Sequence, residues 1–436
     1  MPDSNVTRRS FLGRGLGTAA AVSTFSIVPS RVLAQSPNSK LTHAIIGVGG
    51  MGSGHIDYVN ADQSVLVAVA DCDAGHLGNA VKKAQGNRHT SCKGYADFRE
   101  MLDKEQIDIC HIATPPHWHA LQSIMAADAG CDVWCEKPMT HHIGEGAAVI
   151  AAMRRNGRMF RLNTWFRFTG GFYGLGTEVK PIKKIVSAGL LGWPLTVRIS
   201  NHTGFNWKVA SWSGRTDLKP EPVPAGFDYD MWLGPAPYKP YSAHRTHGSF
   251  RGYWDYDGGG LGDMGQHYMD PVQYYLGKDN ESPVEVQAWA PYPVHPDACG
   301  SWYQVEMTYA DGCKLILEAD VVSDENSVTR GKPYIEGPKG KIWPGFRLDP
   351  PELRDALMNL PDPEPQVTDF ETAVRTRQTF ALNEVNGHRS CTLINLANAA
   401  IRTGRKLRFD SATMRFVGDE EANRLIDQPY RAPWHL

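Results

Sequence analysis

Six residues, Gly47-Val48-Gly49-Gly50-Met51-Gly52, satisfy G-x-G-x-x-G directly after an apolar run. Glycine suits such a turn because it permits a tight bend, lets backbone approach a pyrophosphate, and brings the following helix close to the strand. Asp71 follows Gly52 by nineteen residues at the end of the next apolar run. A carboxylate there can accept hydrogen bonds from a ribose hydroxyl pair and repels a 2′-phosphate, so NAD is expected rather than NADP. Three further residues suit hydride chemistry. Asp263 and His267 lie four apart and share a face if the segment is helical, while Lys137 stands between Glu136 and Pro138 after another apolar run. Taking a hydride from a secondary alcohol needs a base for the hydroxyl proton and a donor for the developing oxygen charge. His267 is assigned as general acid/base, Asp263 as its partner or a substrate ligand, and Lys137 as the cation beside the reacting oxygen.

The elements that must position these residues follow from the hydropathy pattern. His43 to Gly47, Val65 to Asp71, Ile107 to Ala113 and Asp132 to Glu136 read as buried strands, with helices such as Trp118 to Ala129 and Ile143 to Asn156 between them. Apolar runs without alternation, separated by amphipathic segments, specify an α/β Rossmann domain: a doubly wound parallel sheet, residues 40–164. From 165 to 436 the texture changes to aromatic, Gly- and Pro-rich loops with strands near Pro194 to His202, Val284 to Trp289, Trp302 to Tyr309 and Cys313 to Asp320. Ala310-Asp311-Gly312 is the expected hairpin turn, and a C-terminal α+β domain with an open, mostly antiparallel sheet is expected. Glu371 to Arg402 reads as helical. A length of 436 residues suits two or three domains, and 45 basic against 47 acidic residues disfavour a general nucleic-acid footprint. Eight cysteines without a C-x-x-C pair show neither a zinc ribbon nor a thioredoxin-like motif.

Ile112-Ala113-Thr114-Pro115-Pro116-His117-Trp118-His119-Ala120, Val133-Trp134-Cys135-Glu136-Lys137-Pro138 and Gly262-Asp263-Met264-Gly265-Gln266-His267 occur in that order. In them the chain resembles the Gfo/Idh/MocA oxidoreductases, the family of glucose-fructose oxidoreductase and inositol dehydrogenase, from Thr42 to the C-terminus. The resemblance implies a substrate cleft between the two domains and a share of the proton transfer for Lys137. It implies that Thr114, Pro115 and His119 line the nicotinamide ribose side, that Glu136 approaches the ring, and that Arg167, following Trp165, faces substrate. The family usually has Gln or Gly-Phe-Asn before that arginine, whereas Leu162-Asn163-Thr164-Trp165 stands here. Tyr253 and Trp254 either stack on sugar rings or are core aromatics. Pairing of open sheets in the family implies a homo-oligomer. His117 with His119 and His141 with His142 offer imidazoles, but rings two apart at a helix start face different sides, so no metal site is expected.

Thr7-Arg8-Arg9-Ser10-Phe11-Leu12, a weakly apolar run and Arg31-Val32-Leu33-Ala34-Gln35 resemble a twin-arginine (Tat) signal spanning residues 1–34. Export by the Tat machinery to the periplasm as a soluble protein is expected. Outside the cytoplasm there is no pool of free NAD, so the cofactor is expected to be loaded first and held through turnover. Three schemes then reoxidise it: alternation between carbohydrate or polyol substrates, transfer of electrons onward, or a redox-neutral glycosidase cycle of oxidation, elimination, hydration and re-reduction. Asp263-x-x-x-His267 is dehydrogenase-like, which ranks oxidoreduction of a sugar, polyol or glycoside first. A Rossmann scaffold kept only for binding is opposed by the intact Lys137, Asp263 and His267.

Overall fold

A computed structural model describes residues 39–164, 166–167 and 177–436. The expected Tat segment and Trp165 lie outside the described residues. Lys40–Leu436 packs as one compact unit carrying two sheets.

The first sheet contains β1 (Leu41–Ile46), β2 (Ser64–Ala70), β3 (Lys93–Tyr95), β4 (Ile109–Ile112), β5 (Asp132–Glu136) and β6 (Phe160–Asn163). All pair in parallel in the order β3-β2-β1-β4-β5-β6. Every residue of β4 and β5 is buried, which is why these strands read as mostly apolar runs without alternation. Edge strand β3 is mostly exposed and carries no such signal. The strand order reverses between β1 and β4, and it is outside the carboxyl ends of such strands that open α/β sheets bind ligands. Helix Ala74–Gly86 begins on Asp73, whose side chain accepts from the Gly75 and His76 amides. Helix Pro116–Asp128 carries proline in its first turn, where no N–H is needed.

The second sheet comprises β7 (Thr196–Ile199), β8 (Glu285–Trp289), β9 (Gln304–Thr308), β10 (Lys314–Glu318), β11 (Ile335–Glu336), β12 (Lys341–Trp343), β13 (Arg347–Asp349), β14 (Leu407–Asp410) and β15 (Arg415–Phe416). Its order is β13-β12-β11-β7-β10-β9-β8-β14-β15, antiparallel except for the β7–β10 pair. Val305, Met307, Leu315 and Leu317 alternate inward from β9 and β10, and Gly312 closes their turn at φ +88°. Helix Gly259–Leu276 is buried along almost its whole length and contributes to this core together with helices Val179–Ser187 and Glu384–Thr403.

The single helix expected over 371–402 is divided into Phe370–Thr376 and Glu384–Thr403. Arg377 ends the first in the left-handed region, at φ +56°, and Asn383 caps the second by accepting from the Val385 and Asn386 amides. Phe370, Phe380, Leu382 and Cys391 pack into the core of the first sheet, which ties this C-terminal segment to the Rossmann domain. Among the described residues no helix is long and apolar enough to cross a membrane.

Candidate active site

β1 stops at Ile46 because Gly47 adopts φ +81°. A Cβ on Gly47 would stand 2.7 Å from Thr114 Cγ2, and one on Gly52 would stand 1.7 Å from the Gly47 carbonyl oxygen. These two positions therefore hold strand, turn and helix together. Gly49 and Gly50 differ: an added Cβ at Gly50 meets nothing within 4 Å and one at Gly49 meets only the His76 ring, at 3.5 Å, so neither is needed for packing and both leave backbone near the cavity. Gly52→Ala is expected to displace the turn, lower stability and abolish retention of NAD, as nucleotide content after purification would show.

The turn opens into a cavity of 340 Å³ that reaches from Met51 and Asp71 to Lys137 and Asp263. Asp71 follows β2 and accepts from the Val48 amide at 2.8 Å and the Asp73 amide at 2.9 Å. Its carboxylate thus fixes the glycine turn while still facing the cavity. His76 Nδ1 lies 3.8 Å from it, and this partner raises the His76 pKa above its ordinary value. Asp73, His76 and His247 form the one His/Asp cluster among the described residues close enough to share an ion; the candidates from sequence, His117, His119, His141 and His142, are spent elsewhere. His117, His141 and His142 face the carbonyls of Trp232, Asp257 and Leu425.

At the opposite end Lys137 Nζ donates to the Asp263 carbonyl at 2.6 Å and to Asp263 Oδ1 at 3.0 Å. Arg251 Nε donates to the same Oδ1 at 2.9 Å, and Trp212 Nε1 to Oδ2 at 2.7 Å. Burial opposes ionisation of Asp263, but the charges of Lys137 and Arg251 outweigh it and hold the carboxyl well below the usual range. The described hydrogen bond of the His267 ring is not to Asp263 but to Thr164 Oγ1, 3.1 Å from Nδ1. Burial first, and then the Lys137 charge, push the His267 pKa down to about 3. Glu136 lines the cavity and accepts from His55 Nε2 at 2.8 Å and from Asn163. Thr114 and Pro115 form part of the wall, and His119 sits behind it, spanning the carbonyls of Thr114 and Pro138 at 2.7 and 2.6 Å.

Arg167 does not reach the cavity. Its guanidinium is wholly buried and donates to both oxygens of Asp270, at 2.8 and 2.7 Å, and both of Asp279, at 2.8 Å each. All its nitrogens are committed to a buried ion-pair network, a structural use that replaces the expected contact with substrate. Tyr253 and Trp254 are core aromatics: Tyr253 meets His244 and the Arg215 amide through its hydroxyl, and Trp254 donates to the His295 carbonyl. Trp434 caps the core edge-on against Trp118, at 4.8 Å between ring centroids.

Sequence reasoning missed Arg251 and Asp257, which line the cavity from the short 3-10 helix His247–Gly252 and from the loop that leads into helix Gly259–Leu276. Asp257 stands near Asp263 and is pushed up to about 7, chiefly by burial. A folded-state pKa above the ordinary value of 3.8 means that its contribution to stability is full below pH about 4 and lost as pH rises through about 7. Glu145, also buried and pushed up to about 7, acts in the same sense. Each of these two carboxyls therefore lowers folding stability by up to about 1.4 kcal/mol per pH unit across this range, while buried neutral histidines such as His267 and His117 act in the opposite sense. Asp257→Asn should remove the Asp257 share, so that stability changes with pH more positively by up to about 1.4 kcal/mol per pH unit in denaturant titrations across the range.

The donor set fits NAD: an unobstructed glycine turn, a carboxylate after the second strand, and a cavity continuing to a lysine after the fifth. Residues 41–164 match the Gfo/Idh/MocA profile described as an oxidoreductase family, NAD-binding Rossmann fold, and residues 175–436 match its C-terminal alpha/beta domain. Inositol 2-dehydrogenase of Salmonella typhimurium is 29% identical over 160 residues, which is 36% of this chain and 44% of that protein. The aligned region thus spans less than half the length of that curated relative. The WlbA dehydrogenase of Chromobacterium violaceum, solved with NADH and UDP-GlcNAcA, superimposes with a TM-score of 0.58 at 18% identity, covering 86% of this chain and 97% of that one. Aldose-aldose oxidoreductase of Caulobacter crescentus, solved with glycerol, does so at 0.54 and 20% identity, covering 85% and 100%.

Proposed function

The chain belongs to the Gfo/Idh/MocA oxidoreductase family, and from that premise we propose that it is an exported NAD-dependent oxidoreductase acting on a secondary alcohol of a sugar, polyol or glycoside. The observation that carries the proposal is the placement of the Lys137–Asp263 pair at the far end of the cavity that begins at the glycine turn. The carbohydrate class is supported by relatives that act on inositol and aldoses.

Gly49, Gly50 and Asp71 would hold the adenosine and pyrophosphate portions of NAD, and Thr114, Pro115 and Glu136 the nicotinamide side. Bound NAD supplies the acceptor for the hydride that leaves the carbinol carbon. An ammonium has three donors, and Asp263 occupies two of those on Lys137, leaving one for the reacting oxygen. That donor orients the hydroxyl and steadies charge developing on its oxygen. Asp263, itself held by Arg251 and Trp212, fixes the direction of Lys137. His267 is neutral near pH 7 but is not among the residues that line the cavity, and burial and Lys137 disfavour its cation, so the hydroxyl proton is assigned to Glu136 in the cavity wall.

The Tat-like residues 1–34 support export with NAD already bound, and oxidation of one carbohydrate coupled to reduction of another would regenerate it in place. Protein purified without added nucleotide should carry NAD and convert sugars or polyols to keto-sugars or lactones. Cleavage of glycosides to free reducing sugar with no lasting change in the nucleotide would overturn oxidoreduction in favour of glycosidase chemistry.

A further inference from the structure

Three histidines lie where the parallel sheet should be apolar. His43 is in β1, His111 is in the neighbouring β4, and His55 ends the helix that follows the glycine turn. Their exposures are 1%, 0% and 0%, so each ring must find partners inside the protein. They find one another. Glu136 Oε1 stands 2.8 Å from His55 Nε2, His55 Nδ1 stands 3.1 Å from His111 Nδ1, and His111 Nε2 stands 2.9 Å from His43 Nδ1. His43 Nε2 then lies 3.3 Å from Glu371 Oε1, the longest link. His55 and His111 use both nitrogens along one line, whereas His43 bonds through Nδ1 and its Nε2 faces Glu371 without a hydrogen bond. One end, Glu136, is in the cavity wall; the other, Glu371, keeps 21% of its side chain exposed and also accepts from Ser64 Oγ at 2.7 Å. Trp134 stacks on His111 at 4.5 Å and Tyr58 stacks on Trp134 at 5.7 Å, so aromatic rings flank the middle of the line.

Proton counting shows what such a line can do. The three hydrogen bonds need three protons, which three neutral imidazoles hold, and joining Glu371 to His43 as a fourth bond needs one more. The fully bonded line therefore carries one additional proton, and that proton changes ends by short shifts across the contacts without displacement of any ring.

We propose that Glu136, His55, His111, His43 and Glu371 form a proton relay between the cavity and the protein surface. The use assigned to it rests on the hydride-transfer function proposed above. When the carbinol carbon is oxidised and NAD reduced, the hydroxyl proton reaches Glu136. The Glu136 O–H bond breaks as an N–H bond forms at His55 Nε2. His55 Nδ1–H passes its proton to His111 Nδ1, His111 Nε2–H to His43 Nδ1, and His43 Nε2–H to Glu371, which releases it to water. One O–H bond is lost at Glu136 and one is formed at Glu371. Reduction of a second substrate runs the same shifts backward and restores every ring to its starting tautomer, which suits an enzyme that alternates substrates on a held cofactor.

The surrounding charges fit transit rather than storage. Burial, the other two histidines and Arg161 hold the His111 pKa far below its ordinary value, so a resting cation at the centre is disfavoured. Burial opposes ionisation at both ends, but His55, Asn163 and Lys137 keep Glu136 below the ordinary value, and His43, Ser64 and Arg375 do so for Glu371.

Glu371→Gln removes the outer proton acceptor at a partly exposed position, with little change of shape. Two measurements on the full NAD-loaded protein decide the matter. Nitrogen-15 NMR of labelled histidine should show the ring nitrogens of His55 and His111, as well as His43, shifting together in the variant. An effect confined to His43 would show that the line is broken. Stopped-flow with a sugar that reduces the bound NAD should show, by indicator dye, proton release falling at least 10-fold behind hydride transfer in Glu371→Gln; a merely structural loss would slow both equally. Release that keeps pace with hydride transfer in the variant would overturn the relay. Failure of every sugar to reduce NAD would overturn the hydride-transfer reading, and with it the use assigned to the relay, while the NMR result would still decide whether the connected line exists.

Discussion

Lys137→Met lowers hydride transfer by about 10²–10⁴-fold, the loss typical of a positioned proton-transfer or charge-stabilising group. Methionine matches the length of lysine but has no donor for the reacting oxygen. The fold should survive, because Asp263 keeps Arg251 and Trp212 as partners. NAD should also remain bound, since the glycine turn and Asp71 lie at the other end of the cavity. The check is single-turnover reduction of bound nucleotide alongside nucleotide content. Turnover within a few-fold of the parent protein would remove Lys137 from the chemistry.

The second large effect falls on stability. Asp263→Asn should destabilise the protein by about 3–5 kcal/mol, because two buried or half-buried cations lose their shared counter-charge. The Asp263 side chain is 8% exposed, and those of Lys137 and Arg251 are 8% and 25% exposed. Asparagine cannot substitute in either orientation. Oδ1 accepts from Lys137 and Arg251 while Oδ2 accepts from Trp212, so an amide NH₂ faces a donor whichever way it turns. Urea unfolding at pH 7 measures the loss. The pH dependence has a defined sign: Asp263 has a folded pKa below its unfolded value, so its contribution is full above pH about 4 and lost as pH falls toward the folded value. The difference between parent and variant should therefore narrow in acid.

The parallel sheet was legible because strands covered on both faces must be apolar throughout, and the residues that interrupt them at their carboxyl ends are the ones a ligand meets. Gly47, Asp71 and Lys137 each stand at such an end, so sequence alone located them near a cofactor. Arg167 was not legible in the same way, since the carboxylates that claim it, Asp270 and Asp279, arrive from a helix and loop about a hundred residues further on. Tyr253 and Trp254 differ from sugar-stacking residues only in what long-range packing places over them. The His43–His111–His55 line was hidden because each ring is a single polar residue in or beside an apolar run, and only strand register brings His43 and His111 together. Arg251 comes from a single short 3-10 helix and Asp257 from the loop after it, segments too short for periodicity to mark which side chains turn inward.

Direct hydride transfer from a carbohydrate to held NAD is tested by one isotope measurement. Protein purified without added nucleotide is mixed separately with glucose and myo-inositol deuterated at carbon and with a panel of likewise labelled sugars, and its nucleotide is weighed by mass spectrometry. The predicted result is bound NADH carrying one deuterium per molecule, formed in step with a keto-sugar or lactone. Substrate consumed while the nucleotide gains no deuterium, or protein that carries no NAD at all, would contradict it.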